Sequence, residues 1–393
     1  MAGSDTSGLE RQARETVEHL ASFERGSASE GEHRAAQWIA ARLDELGAPA
    51  VVERESAHGG YWLPLGLMTL AAGLASLLHS RLAWLVAGGA MAAAVADDTG
   101  GGPKLFRRLL PCRPTWNVVA SAGDPEGDRT VVVVAHHDAA HWSLLFSPVV
   151  PEFIGRKFPR ALEKADTTPP VIFPVFAGPL LVFLAGLTGS RLLRRLGAFL
   201  SFGAAAVFAE IGSRSVVPGA NDNLSGVAVL LGLAGLLRDR PVEGVRVLLV
   251  STGSEESFME GMQAFGRRHF PRLPPDSTTF ICVDTVGSPT LMELEGEGML
   301  LMRDYPRELK DLVSRAAADE GVELVRGLRF RNATDGLISM KAGYPTVMLG
   351  SITEFKAPAN YHWPTDTADR VDYGTVAGAT LVCRRAIELL GSR

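Results

Sequence analysis

The chain is 393 residues long and poor in cysteine: Cys112, Cys282 and Cys383 are far apart and odd in number. They make no CxxC pair and no disulfide framework, and so few free thiols fit a reducing compartment. A strong charge of either sign is also missing, since 39 Lys and Arg stand against 44 Asp and Glu for a net charge of −5. No basic run is interleaved with aromatics, which removes nucleic acid as an expected partner. Residues 1–20 have no apolar h-region and carry Asp5, Glu10, Arg11, Arg14, Glu15 and Glu18. No secretory leader is therefore expected within them. There is no internal repeat.

Apolar residues are plentiful, at 46% against 21% charged, and they are clumped. Residues 62–96 carry one ionised side chain, Arg81, in a His79-Ser80-Arg81 break. Residues 170–209 are interrupted only by Arg191, Arg194 and Arg195, after Gly189-Ser190. Each stretch reads as two apolar segments joined by a tight basic turn. A spanning helix needs roughly 20 apolar residues, so the segments are short. They nevertheless lack the polar face of a helix lying on a soluble core. The preferred reading is two transmembrane hairpins, four helices in all, packed through Gly66, Ala72, Gly73, Gly88, Gly89, Gly203 and Ala204. Re-entrant hairpins and buried core helices are the other two readings. Lys and Arg near the segment ends are more numerous opposite the turns. They put both termini and the polar bulk in the cytoplasm, although the Arg cluster of the second turn pulls the other way.

Elsewhere strand and helix patterns alternate. Residues 29–46 have apolar positions at helical spacing, and Gly47 ends that helix. Strands are expected over 50–55, 116–121, 130–135, 244–251, 278–284 and 344–349. Helices are expected over 224–237, 261–270, 306–320 and 373–390. Runs such as Val131-Val132-Val133-Val134 suit a sheet covered on both faces. The expected fold is α/β, with a central, mostly parallel mixed sheet flanked by helices.

Five segments then offer hard oxygens or imidazole nitrogens. They are Ala135-His136-His137-Asp138, Gly219-Ala220-Asn221-Asp222-Asn223, Ser254-Glu255-Glu256, Val283-Asp284 and Tyr361-His362-Trp363-Pro364. These are the ligand types that a divalent, zinc-like ion takes. His136, Asp138, Glu255, Glu256 and Asp284 follow apolar strand-like runs, where sites gather in open α/β sheets. A single carboxylate at a strand end is ordinarily a cap or turn residue. Several converging carboxylates repel unless a cation neutralises them.

In these segments the chain resembles the M28 family of zinc-dependent peptidases, which includes bacterial aminopeptidases. The family's His-x-Asp is met by His136-His137-Asp138, and its Gly-x-Asn-Asp-Asn-x-Ser-Gly by residues 219–226. Its Glu-Glu with a later Gly is met by Glu255, Glu256 and Gly261, and its strand-end Asp by Asp284. Its Tyr-His-x-Pro-x-Asp-Thr is met by residues 361–367. The resemblance implies two divalent metal ions, zinc before cobalt or manganese. One would be held by His136, Asp222 and Asp284, the other by Asp222, Glu256 and His362. It implies Glu255 as general base, Asp138 as the group orienting His136, and Tyr361 as a donor to a developing oxyanion. Where the family often has Ser-Asp-His, this chain has Thr334-Asp335-Gly336, so a His is missing.

The implied organisation is a discontinuous peptidase domain over 1–60, 98–142 and 214–393. A first hydrophobic hairpin occupies 61–97, and an insertion at 143–213 contains the second. The expected activity is a membrane-associated exopeptidase, an aminopeptidase acting on a peptide or protein N-terminus at the lipid bilayer. The alternatives are another amide hydrolase of the family (carboxypeptidase or small-amide hydrolase) and a non-enzymatic membrane scaffold that keeps the metal site.

Overall fold

The computed structural model describes residues 2–392. Helices α1 (Ala2–Leu20) and α2 (Glu30–Glu45) lead into β1 (Ala50–Ala57). A helical hairpin, α3 (Trp62–Leu77) and α4 (Arg81–Thr99), precedes β2 (Arg113–Gly123) and β3 (Arg129–His136). Short helices α5 (Val149–Lys157) and α6 (Pro159–Lys164) come before a second hairpin, α7 (Phe173–Thr188) and α8 (Arg191–Ser213). Next are α9 (Ser225–Asp239), β4 (Val245–Thr252), α10 (Glu260–His269), β5 (Thr278–Val283), β6 (Thr290–Glu297) and β7 (Arg303–Asp304). The chain closes with α11 (Arg307–Glu320), β8 (Val325–Phe330), α12 (Asp335–Lys341), β9 (Thr346–Ile352) and α13 (Tyr373–Gly391).

Among the described residues all nine strands form one sheet, ordered β1-β2-β4-β3-β5-β9-β6-β7 with β8 beside β6. The centre, β4-β3-β5-β9, is parallel. The pairs β1–β2, β2–β4, β6–β9 and β6–β7 are antiparallel, whereas β6–β8 is parallel. The sheet is thus evenly mixed rather than mostly parallel. Its parallel centre is what matters for the site, because it brings the carboxyl ends of β3, β4 and β5 to one edge.

The valine run of β3 explains why the sheet is covered on both faces. Side chains alternate across a strand. Val131, Val133 and Ala135 enter one core, with apolar residues of α1, α2, α9, α11 and α13. Val132 and Val134 enter the other, with residues of α10 and α12 and of both hairpins.

The four hairpin helices pack as a bundle, α3 on α4 and α8, and α7 on α4 and α8. Their ends nearest the sheet contribute Leu65, Met68, Val95, Val175, Phe208 and Ile211 to its second core. Their far ends form a small core of their own around Trp84, Val182 and Ala185. The turns follow the sequence: Ser80 Oγ accepts from Ala83 N at 3.2 Å, Ser190 Oγ from Leu193 N at 3.4 Å, and Gly189 takes φ +72° to end α7. Small residues do seat the helices, though not the whole expected set. A Cβ on Gly88 would lie 2.4 Å from Phe183 N, and one on Gly186 2.6 Å from Leu85 N. At Gly203 an added Cβ would meet nothing within 4 Å.

Four spanning helices were expected here, and only one of these four, Arg191–Ser213, is long and apolar enough by length and composition. The other segment that passes, Ala220–Asp239, is a buried core helix of the sheet domain. Helices α3 and α7 have 16 residues each, and α4 ends in Asp97 and Asp98.

The sequence reading missed α1, α5, α6, α12 and the β6–β8 edge. In β6 the reason is plain: Glu293 and Glu297 are buried within the strand, which hides its apolar signature.

Candidate metal centre

The parallel register sets the site. His136 is the last residue of β3 and pairs with Thr252, the last of β4. Asp284 follows β5 directly, and the Gly253–Glu256 loop follows β4. Asp222 lies in the turn before α9, whose Asp222–Asn223 peptide is cis. His362 comes from the loop between β9 and α13, with φ +48°.

Asp222 stands between the two imidazoles. Its Oδ1 is 3.2 Å from His136 Nε2, and its Oδ2 is 3.1 Å from His362 Nε2. Asp284 Oδ2 lies 3.8 Å from His136 Nε2, and Glu256 Oε1 lies 3.2 Å from His362 Nε2. Glu255 Oε2 is 3.9 Å from His136 Nε2. Three groups result, each with its ligand atoms within 4.8 Å of one another: His136-Asp222-Asp284, Asp222-Glu256-His362 and His136-Glu255-Glu256. All six residues are buried.

The donor set fits a divalent cation. Asp222 Oδ2 and Glu256 Oε1 are buried and, among the described residues, have no hydrogen-bond partner despite their closeness to His362. His136 Nδ1 lies 3.1 Å from the carbonyl oxygen of Asp138, which as an acceptor favours the tautomer that leaves Nε2 free for a ligand.

The electrostatics ask for positive charge. Burial pushes the Glu255 and Asp284 carboxyls well up despite the opposing pull of His136, and the neighbouring carboxylates add to it. Burial also opposes ionisation of Asp222, but the adjacent imidazoles of His136 and His362 win and hold it low. Burial disfavours charge on His362, yet Glu256 and Asp222 outweigh it and raise the imidazole to about 10. Protons on the imidazoles or a bound cation relieve the same repulsion.

A buried scaffold holds the cluster. The Asp138 carboxylate accepts from Glu255 N at 3.0 Å, Glu256 N at 3.1 Å and Ser27 Oγ at 2.6 Å. It lies 3.4 Å from His136 Nδ1 as well. Asp138 therefore fixes the glutamate loop as much as the imidazole. Asp366 accepts from Asn221 N at 2.7 Å and Asp222 N at 3.1 Å. Asn223 joins this turn to β5, donating to Val283 O at 2.9 Å and accepting from Thr285 N at 3.1 Å. Gly261 is required for space: a Cβ there would lie 1.9 Å from Gly253 O.

Two holders were missed in the sequence. Arg25 is fully buried and donates to His137 O at 3.1 Å and Pro218 O at 2.7 Å, bridging two of the site's loops. Glu32 accepts from Ala28 N at 2.6 Å, Trp116 N at 3.0 Å and Ser254 Oγ at 3.0 Å. Neither lies in a motif, and Glu32 looked like one more charge on a surface helix.

The remaining residues divide by direction. Tyr361 stacks on His362 with ring centroids 3.9 Å apart. Asp335, at the start of α12, accepts from Thr252 Oγ1. His137 turns away to Ser251 Oγ at 2.9 Å, and burial lowers its pKa to about 3. His141 meets Arg214 O at 2.6 Å, and His269 meets Glu53 Oε2 at 2.9 Å. These three histidines serve the fold.

The profile of Peptidase family M28 matches residues 206–387. No curated protein sequence matches the chain significantly. Solved structures share its fold. The glutaminyl cyclase of Bacteroides thetaiotaomicron bound to N-acetylhistamine is 15% identical, with 96% of this chain and 97% of the other covered at a TM-score of 0.56. The aminopeptidase from Aneurinibacillus sp. strain AM-1 is 13% identical, with 98% and 95% covered at 0.58. A zinc aminopeptidase from Bacillus subtilis is 13% identical, with 96% and 94% covered at 0.56. At these identities the likeness is one of fold.

Proposed function

We propose, from the match of residues 206–387 to the profile of Peptidase family M28, that the chain is a membrane-associated, metal-dependent exopeptidase working as an aminopeptidase. One observation carries the reading: two ligand triads, His136-Asp222-Asp284 and Asp222-Glu256-His362, share Asp222. Each triad would hold one zinc-type ion. When bound, such ions would supply acidification of a water and polarisation of a substrate carbonyl.

The chain's own residues supply the rest. Glu255 takes a proton from the attacking water and returns it to the leaving amine. Asp138 keeps Glu255 and Glu256 in register through their amides. Tyr361, stacked on His362, would donate to the oxyanion.

Membrane association rests on the outside of the bundle. Leu63, Leu70, Leu74, Leu82, Val86 and Phe199 are exposed there. Apolar patches of this kind mark contact surfaces. At 1.5 Å per residue, α3 and α7 are about 24 Å long, short of the roughly 30 Å hydrocarbon core. The hairpins would dip into the bilayer with Arg81, Arg191, Arg194 and Arg195 at their tips, and with the sheet domain in the cytoplasm.

The likeness to glutaminyl cyclases favours a second reading, in which an N-terminal glutamine cyclises and ammonia leaves. Zinc-loaded full-length protein in detergent, given aminoacyl amides and Gln-peptides, separates the two by product. In the peptidase reading Glu255→Ala keeps its metal and loses several orders of magnitude in turnover. Equal turnover in wild type and variant would refute the assigned base.

A further inference from the structure

A cavity of about 340 Å³ begins at the cluster and runs into the bundle. At its inner end are Glu255, Glu256, Tyr361 and His362, which also line the small polar pocket around His136, Asp222 and Asp284. Its walls are apolar and come largely from the second hairpin region: Ile172, Val175, Phe199, Val207, Phe208 and Ile211. Ile211 is 1% exposed at the deep end, whereas Phe199 is 74% exposed on the outer face of the bundle. The cavity thus joins the reacting groups to the surface that would lie in lipid. Gly203 lines the cavity and a Cβ there would touch nothing within 4 Å, so a large side chain at this position has free space to enter.

We propose that this cavity takes a long, unbranched apolar chain carried on the acyl side of the scissile amide, so that the substrates are amphiphilic amides drawn from the membrane. The inference rests on the peptidase reading for its bond-breaking step and adds the class of substrate. Its volume lies in the range of small-molecule pockets, roughly 300–1,000 Å³. At roughly 30 Å³ for each water-sized group, it holds on the order of ten methylenes. Away from the inner end Arg331, over the Phe173 ring, is the one charged lining side chain, and the rest of the wall is apolar. An acyl carbon at the cluster therefore leaves its chain a mainly apolar path, outward along α8.

The test uses the full-length, zinc-loaded protein in a steroid-based detergent, which has no alkyl chain to compete. Substrates are α-amino acid anilides with straight side chains from one carbon to ten, and kcat/KM is measured for each. The expected rise is about fourfold per methylene, equivalent to ~0.8 kcal/mol, until the cavity is full. In Gly203→Phe the ratio of long-chain to short-chain kcat/KM falls by about tenfold or more. A flat profile with good turnover of the alanine anilide overturns the inference and leaves the peptidase reading standing. No hydrolysis of any anilide counts against the peptidase reading, and the cavity is then decided by binding. A dodecanoyl amide bearing a photoreactive diazirine should label α8 in wild type and lose that label in Gly203→Phe. Equal labelling in both proteins overturns the inference.

Discussion

Arg107 clasps Asp98 side-on, Nε to Oδ2 at 2.7 Å and Nη2 to Oδ1 at 2.6 Å, with both side chains out of solvent. The same guanidinium lies 3.1 Å from Glu260 and donates to Ser257 O at 3.0 Å. Asp98 lies in the last turn of α4, while Ser257 and Glu260 follow the Glu255-Glu256 pair. One cation therefore ties the first hairpin to the loop that carries the glutamates. Arg107→Met should cost about 3–5 kcal/mol, because it strands buried carboxylates. Adding Asp98→Leu should recover part of the loss. Thermal melts in detergent check this, and an unchanged Tm in the single variant would contradict the clasp.

Glu260 predicts an acid-sensitive step. Burial works against its ionisation, but the hydrogen bond from His58 and the charge of Arg107 hold its carboxyl at about 2. A depressed folded-state pKa means stability that is complete above the unfolded value, near 4.3, and is lost as pH falls toward 2. The contribution is roughly 3 kcal/mol. Denaturant unfolding followed from pH 6 to pH 3 should show a steeper loss in wild type than in Glu260→Gln. Parallel profiles would count against the linkage.

Asp138→Asn replaces one accepting oxygen with an N–H donor that faces other donors. The glutamate loop should loosen, with turnover or metal affinity falling about 10–100-fold, as for other groups that orient metal ligands. Calorimetric metal titration and steady-state kinetics measure the two effects separately. Wild-type values for both would remove Asp138 from the supporting role.

Removing metal should destabilise the fold. A ligand that binds only the native state stabilises it by about 4 kcal/mol at 1,000 times its Kd. Chelator should therefore lower Tm, and zinc should restore it. In Asp222→Asn, which lacks the shared carboxylate, the shift should shrink or vanish. An identical chelator shift in both proteins would place the ion elsewhere.

Two glycines of the bundle should behave oppositely. Gly88→Val must push α4 away from Phe183 and should cost about 1–3 kcal/mol. Gly203→Ala meets no neighbour and should gain about 0.5–1 kcal/mol from lost unfolded-state freedom. Melting both variants in the same detergent makes the comparison direct.

Much of the sheet domain was legible because local patterns decide it. Apolar runs bounded by turns marked β3, β4 and β5, and Ser29 with Gly47 bracketed α2. The β6 edge was not legible, because its buried Glu293 accepts from Ser314 of α11, which no local window contains. The bundle was half legible. Its four helices and two basic turns lie where the charge-free stretches are, but of the four expected spans only Arg191–Ser213 is long and apolar enough. The near ends of α3, α4, α7 and α8 are absorbed into the core under the sheet.

The sequence alone determined which chemical groups exist, and that most of them end strands, because ligand type is side-chain identity and strand ends follow from short-range pattern. Only the tertiary structure decided that Asp222 lies between His136 and His362, that Arg25 and Glu32 hold the loops around them, and that a cavity leads from Glu255 into the bundle. Those relations join residues far apart in the chain. They are set by strand order and helix packing, which no local run of residues encodes.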